Sequence, residues 1–73
     1  MNYTSRQLET QYASQVVRLL QSAEALRVTL DLSAPFFRGE DCRRNHRERH
    51  EHSIEHAFGR MQSIAAQLGQ AND

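Results

Sequence analysis

Apolar residues recur along the first half of the chain at alternating steps of four and three: Tyr12, Val16, Leu19, Ala23, Leu26 and Leu30. That is the spacing of one packing stripe on an amphipathic helix. Val17 and Leu20 widen it enough to touch two neighbours rather than one. The start of the helix is marked upstream. Thr4 is a good N-cap, Gln7 stands at N3 to complete a capping box, and Tyr3 and Leu8 fall at N′ and N4 as a hydrophobic staple. Its end has two readings. Leu26, Val28, Leu30 and Leu32 also alternate with Arg27, Thr29, Asp31 and Ser33, which is the period of a half-buried strand. The helical pattern runs into this stretch unbroken, and a lone strand needs a partner from another chain, so helix is favoured while strand over 26–32 stays open. Ser33-Ala34-Pro35 stops the element, because proline disfavours helical geometry in the residue before it. Gly39 marks a further break.

A second helix starts near Glu40 or Asp41, where acidic side chains suit the positive end of the helix dipole. Its character changes halfway. From residue 40 to 52 it holds charge, imidazole, Cys42 and Asn45 but no aliphatic residue. Beyond that an apolar seam runs through Ile54, Phe58, Met61, Ala65 and Leu68, with Ala57 and Ile64 beside it. Opposite charges at i,i+4 (Glu40/Arg44, Arg44/Glu48, Arg47/Glu51) add a few tenths of a kcal/mol each. Gly69 is a natural C′ residue, with a tail expected to fray behind it.

These pieces predict an all-α chain with a single domain over 1–73: helix 1 about 4–32, a loop about 33–40, helix 2 about 41–69, folded as an antiparallel hairpin. Pairing across the loop sets Leu8 and Tyr12 near Met61 to Ala65, and Leu19 near Ile54. It also sets Leu26 and Leu30 opposite His46 and Arg43, a mismatch of apolar against polar. Arg43, His46, Arg47 and His50 continue the helix face that Ile54 and Met61 occupy, yet are too polar for a core. Solvation or pairing with nearby acids is the expected resolution.

Length limits what such a hairpin achieves alone. A chain of 73 residues buries roughly 60% of the surface its unfolded form exposes, and a monomeric core of this size is marginal. Dimerisation into a four-helix arrangement is therefore expected, with Tyr12, Val16, Leu19, Leu26, Ile54, Phe58, Met61 and Leu68 as the core and dimer residues. Cys42 is the only cysteine, which excludes a disulfide framework within the chain. No signal-peptide pattern or bilayer-length apolar run is present, so a cytoplasmic location is the default expectation.

The formal net charge is zero, and all nine basic residues are arginine. GC-rich coding favours arginine codons; selection for planar bidentate donors would have the same outcome. Neutrality argues against a dedicated nucleic-acid binder, which needs excess cation for phosphate contacts. The Arg43-Arg44-Asn45-His46-Arg47 cluster still keeps a nucleic-acid-binding regulator as the alternative, against the interleaved Glu40, Asp41, Glu48 and Glu51.

His46/His50 and His52/His56 are i,i+4 pairs of the kind that chelate a borderline metal, but they point about a third of a turn apart and cannot converge on one ion within one helix. Metal binding is a minor alternative, and no metal or cofactor is assigned. Nor is any catalytic residue. Cys42 with His46 lies near a helix N-terminus that favours thiolate, but two helices provide no cleft and no oxyanion donors.

A non-enzymatic protein-binding module accounts for the pattern best. Phe36 and Phe37 in the loop stand beside Arg43, His46, Arg47 and His50, and aromatics with arginine are the residue types that anchor interfaces. These six are the expected partner-binding residues. In size and pattern over its whole length the chain resembles the small helical-hairpin proteins of bacteria and their phages, without sharing a diagnostic motif. That resemblance implies an inhibitor, adaptor or chaperone that works by occupying a partner's surface.

Overall fold

The computed structural model describes residues 3–31 and 38–70. They form two helices, α1 (Ser5–Leu30) and α2 (Glu40–Gln70), packed against each other along a body 52 Å long and 16 by 15 Å across. Among the described residues there is no strand. The fold is the expected all-α hairpin.

α1 begins as its sequence dictates. The Gln7 N–H donates to Thr4 Oγ1 at 3.2 Å and the Thr4 N–H donates to Gln7 Oε1 at 2.9 Å, so both halves of the capping box are closed. The helix runs through Leu30, and Asp31 leaves it with extended backbone while its N–H donates to Val28 O. The alternating stretch is thus helical over residues 26–30; Leu32 lies outside the described residues.

α2 starts at Glu40, the earlier of the two expected positions. Gly39, at φ 97°, turns the chain in a left-handed conformation that other residues adopt at a cost, and its carbonyl accepts the Arg43 N–H at 3.2 Å. Glu40 and Asp41 then occupy the first turn. At the other end α2 continues through Gly69 to Gln70. Gly69 is therefore not the C′ residue, since among the described glycines only Gly39 has positive φ.

The inner seam of the hairpin is rotated from the predicted stripes. Among the described residues those with the least solvent contact are Leu8 and Thr29 on α1 and Ala57 and Ile64 on α2. Thr29 touches Arg43, so stepping back by heptads sets Ser22 level with His50, Gln15 with Ala57, and Leu8 with Ile64. Tyr12, Leu19 and Leu26 on α1, and Ile54, Met61 and Leu68 on α2, are half-buried along the same seam. Ala57 and Ile64, expected beside the seam, are at its centre. Phe58, expected in it, is 52% exposed, and Val17 and Leu20 are 52% and 61% exposed. The reason is geometric: only one narrow arc of each helix faces its single neighbour, and a stripe wide enough for two neighbours leaves half of itself uncovered.

Candidate functional site

The polar half of α2 meets the C-terminal end of α1, and the predicted mismatch there is resolved by a cap. The last carbonyls of a helix have no partner within it. Arg43 Nη1 donates to Thr29 O at 2.6 Å and to Asp31 O at 2.8 Å, reaching across the seam to satisfy one carbonyl of the last turn and that of the C-cap residue behind it. Arginine suits the task because its charge also complements the negative end of the α1 dipole. The Thr29 hydroxyl turns inward along its own helix and donates to Ala25 O at 2.8 Å, which lets a polar residue be buried beside Arg43. Arg43 thus bonds backbone carbonyls, a pairing beyond the expected solvation or nearby acids.

Of the six expected partner-binding residues, Arg43, His46 and His50 share this half-buried surface. The His46 and His50 rings lie 6.2 Å apart, inclined at 37°. Arg47 is turned outward, its side chain 45% exposed, with Nε 3.2 Å from Glu51 Oε1. Phe36 and Phe37 lie outside the described residues. Beside this cluster Arg44 pairs with Asp41 at 2.8 Å, an i,i+3 contact, where Glu40 and Glu48 had been the expected partners. Cys42 is a half-buried free thiol.

His52 and His56 face elsewhere. With Arg18, Gln21, Ser22 and Ser53 they line an open groove of about 510 Å³ along one flank of the hairpin. A second groove of about 380 Å³ continues the same flank past Gln11, His56, Arg60, Ser63 and Gln67. The two histidine pairs do not converge, and among the described residues no group of three or more His, Cys, Asp or Glu is placed to hold a metal ion.

The opposite flank is apolar. There Tyr12, Ala13, Val16, Val17 and Leu68, edged by Glu9, surround an open depression of about 460 Å³. Leu20 and Phe58 extend this flank on the helical wheel, away from the side of Arg18 and Arg60. Among the described residues the hairpin therefore has a polar flank rich in donors and an apolar flank left uncovered.

Two features escaped the sequence pattern. Gln15 Oε1 is buried in the seam without a hydrogen-bond partner, and Thr29 is 1% exposed. Their signal was the heptad that begins at Leu8 and passes through Gln15, Ser22 and Thr29; it is visible only once Leu8, rather than Tyr12, sets the phase. Comparison of the chain with protein-family models, curated proteins and solved structures finds no match.

Proposed function

We propose that this protein is a non-enzymatic binding module that dimerises into a four-helix arrangement and acts by occupying the surface of a partner protein, as an inhibitor, adaptor or chaperone. One observation carries the reading. Among the described residues only Leu8, Ala57 and Ile64 are buried apolar side chains, whereas Val17, Leu20, Leu30 and Phe58 are all more than half exposed. A chain that spends more large apolar side chains on its surface than in its core is built to cover something.

The partner site is proposed at the loop end, where Leu30 on α1 is 54% exposed, Arg47 on α2 faces outward, and the sequence adds Phe36 and Phe37. A nucleic-acid role through the arginines is less favoured. Arg43 is committed to the α1 carbonyls, and Arg44 and Arg47 each hold an acid within α2, which leaves less cation to meet phosphates.

Capture of partners by the tagged chain, followed by titration at increasing salt, tests the proposal. Binding is expected to fall only modestly with salt, because an anchored protein interface responds weakly; a steep linear loss on a logarithmic scale would indicate phosphate binding and reject the reading. Phe37→Ala and Arg47→Ala are each expected to weaken partner binding by about 1–3 kcal/mol while helical content is retained.

A further inference from the structure

The apolar flank has an internal symmetry that names its occupant. On α1 the residues Glu9, Ala13, Val16, Leu20, Ala23 and Arg27 follow one another at steps of four, three, four, three and four. At 100° per residue they share an arc of roughly 80°, about a third of a turn from the inner seam. All are exposed except the half-buried Val16. The row reads the same from either end: acid or base, alanine, branched aliphatic, branched aliphatic, alanine, base or acid. Its midpoint falls at Arg18, whose own side chain lines the polar groove on the other flank.

We infer that this row is an isologous contact in which α1 packs antiparallel on α1 of a second copy, so that Val16 meets the partner's Leu20, Ala13 meets the partner's Ala23, and Glu9 meets the partner's Arg27. The inference rests on the dimer reading above and fixes its face and direction. Three properties point to a second copy rather than to another partner. A two-fold contact requires each residue's counterpart to lie at the mirrored position of the same surface, and this row supplies it throughout. The alanines on either side of the centre permit close helix approach. The ends carry opposite charge, so antiparallel pairing joins Glu9 to Arg27 twice, whereas parallel pairing sets like against like. Glu24 already holds Arg27 through Nε and Nη2, at 3.0 and 2.7 Å, and the Arg27 side chain is still 68% exposed, so the guanidinium is accessible to a second carboxylate. Phe58 on the same flank of α2 adds a large ring beside the row.

Sedimentation equilibrium of the unaltered chain comes first: a monomer at micromolar concentration overturns the dimer reading and this face with it. Where a dimer is present, Leu20→Glu is expected to weaken self-association about 100-fold or more, since it buries an acid at the centre in both copies. Leu20 lies outside the inner seam, so the helical circular-dichroism signal should persist. Glu9→Arg and Arg27→Glu should each weaken the dimer, and the two together should restore it. Direction is read by Ala13→Cys/Ala23→Cys in a Cys42→Ser background. Ten residues apart on one helix, these thiols are about 15 Å from each other and cannot bridge within a chain. Mild oxidation should therefore give a covalent dimer. A wild-type dimer that is indifferent to Leu20→Glu, is not restored by the double charge exchange, or is not cross-linked by the paired cysteines would overturn this face while leaving the dimer itself intact.

Discussion

The two ends of this hairpin hold their helices together by different physics. Toward the termini, Leu8, Tyr12 and Leu19 meet Ile54, Ala57, Met61 and Ile64, and contact depends on apolar burial. Toward the loop, Thr29 and the α1 carbonyls meet Arg43, and contact depends on directed hydrogen bonds from one guanidinium. Burial is non-directional and tolerates rotation of one helix about the other. A fork of donors on two carbonyls does not. The terminal end therefore supplies most of the stability, and the loop end fixes the register.

That division is open to attack at several points. The largest effect is expected at Ile64, 3% exposed: Ile64→Ala should lower stability by about 2–4 kcal/mol, enough to unfold much of so small a domain in a thermal melt. Leu30→Ala, at a side chain 54% exposed, should change it by less than about 0.5 kcal/mol. If the two variants melted alike, the terminal end would not be the store of stability.

Next comes Arg43→Ala, which strips the cap from Thr29 O and Asp31 O. A loss of about 1–2 kcal/mol is expected, with amide exchange accelerated over residues 26–31 ahead of the rest of α1. Arg43→Lys should recover only part, because an ammonium lacks the planar fork. Uniform acceleration along α1 would mean that Arg43 has no special place at this end.

Gln15 sharpens the comparison from the other side. Its buried Oε1 has no partner within a seam otherwise held by apolar contact, so Gln15→Leu should stabilise the fold by about 1 kcal/mol in denaturant titration. A destabilised variant would show that the amide is satisfied in solution.

The smallest effect belongs to the exposed Glu24–Arg27 pair. Hydrogen bonding and attraction from Arg27 hold the Glu24 carboxyl below its ordinary value. A depressed carboxyl stabilises the folded state above its unfolded pKa, and that contribution disappears as pH falls through the folded one. Glu24→Gln should therefore remove a slight acid-side loss of melting temperature and leave the neutral-pH melt almost unchanged.

Much of this was legible in the residues alone. Two helices, their antiparallel pairing and the Thr4–Gln7 capping box all follow from local signals: spacing, caps and turn residues act within a few positions of one another. Gly69 shows where a local signal fails, because a glycine permits a left-handed stop without compelling one, and α2 runs on to Gln70. What only the tertiary structure decided is which arc of each wide stripe faces inward. Leu8, Gln15, Ser22 and Thr29 compete with Val16, Leu20 and Ala23 for the same neighbour, and hydrophobicity alone favours the second set. The first set faces α2 because Arg43 can then reach the end of α1, and because small Ala57 leaves room level with Gln15. Both terms are cross-helix geometry between residues far apart in the chain, which no periodicity records. The same rotation leaves Val17, Leu20 and Phe58 at the surface, where they are available to a second chain.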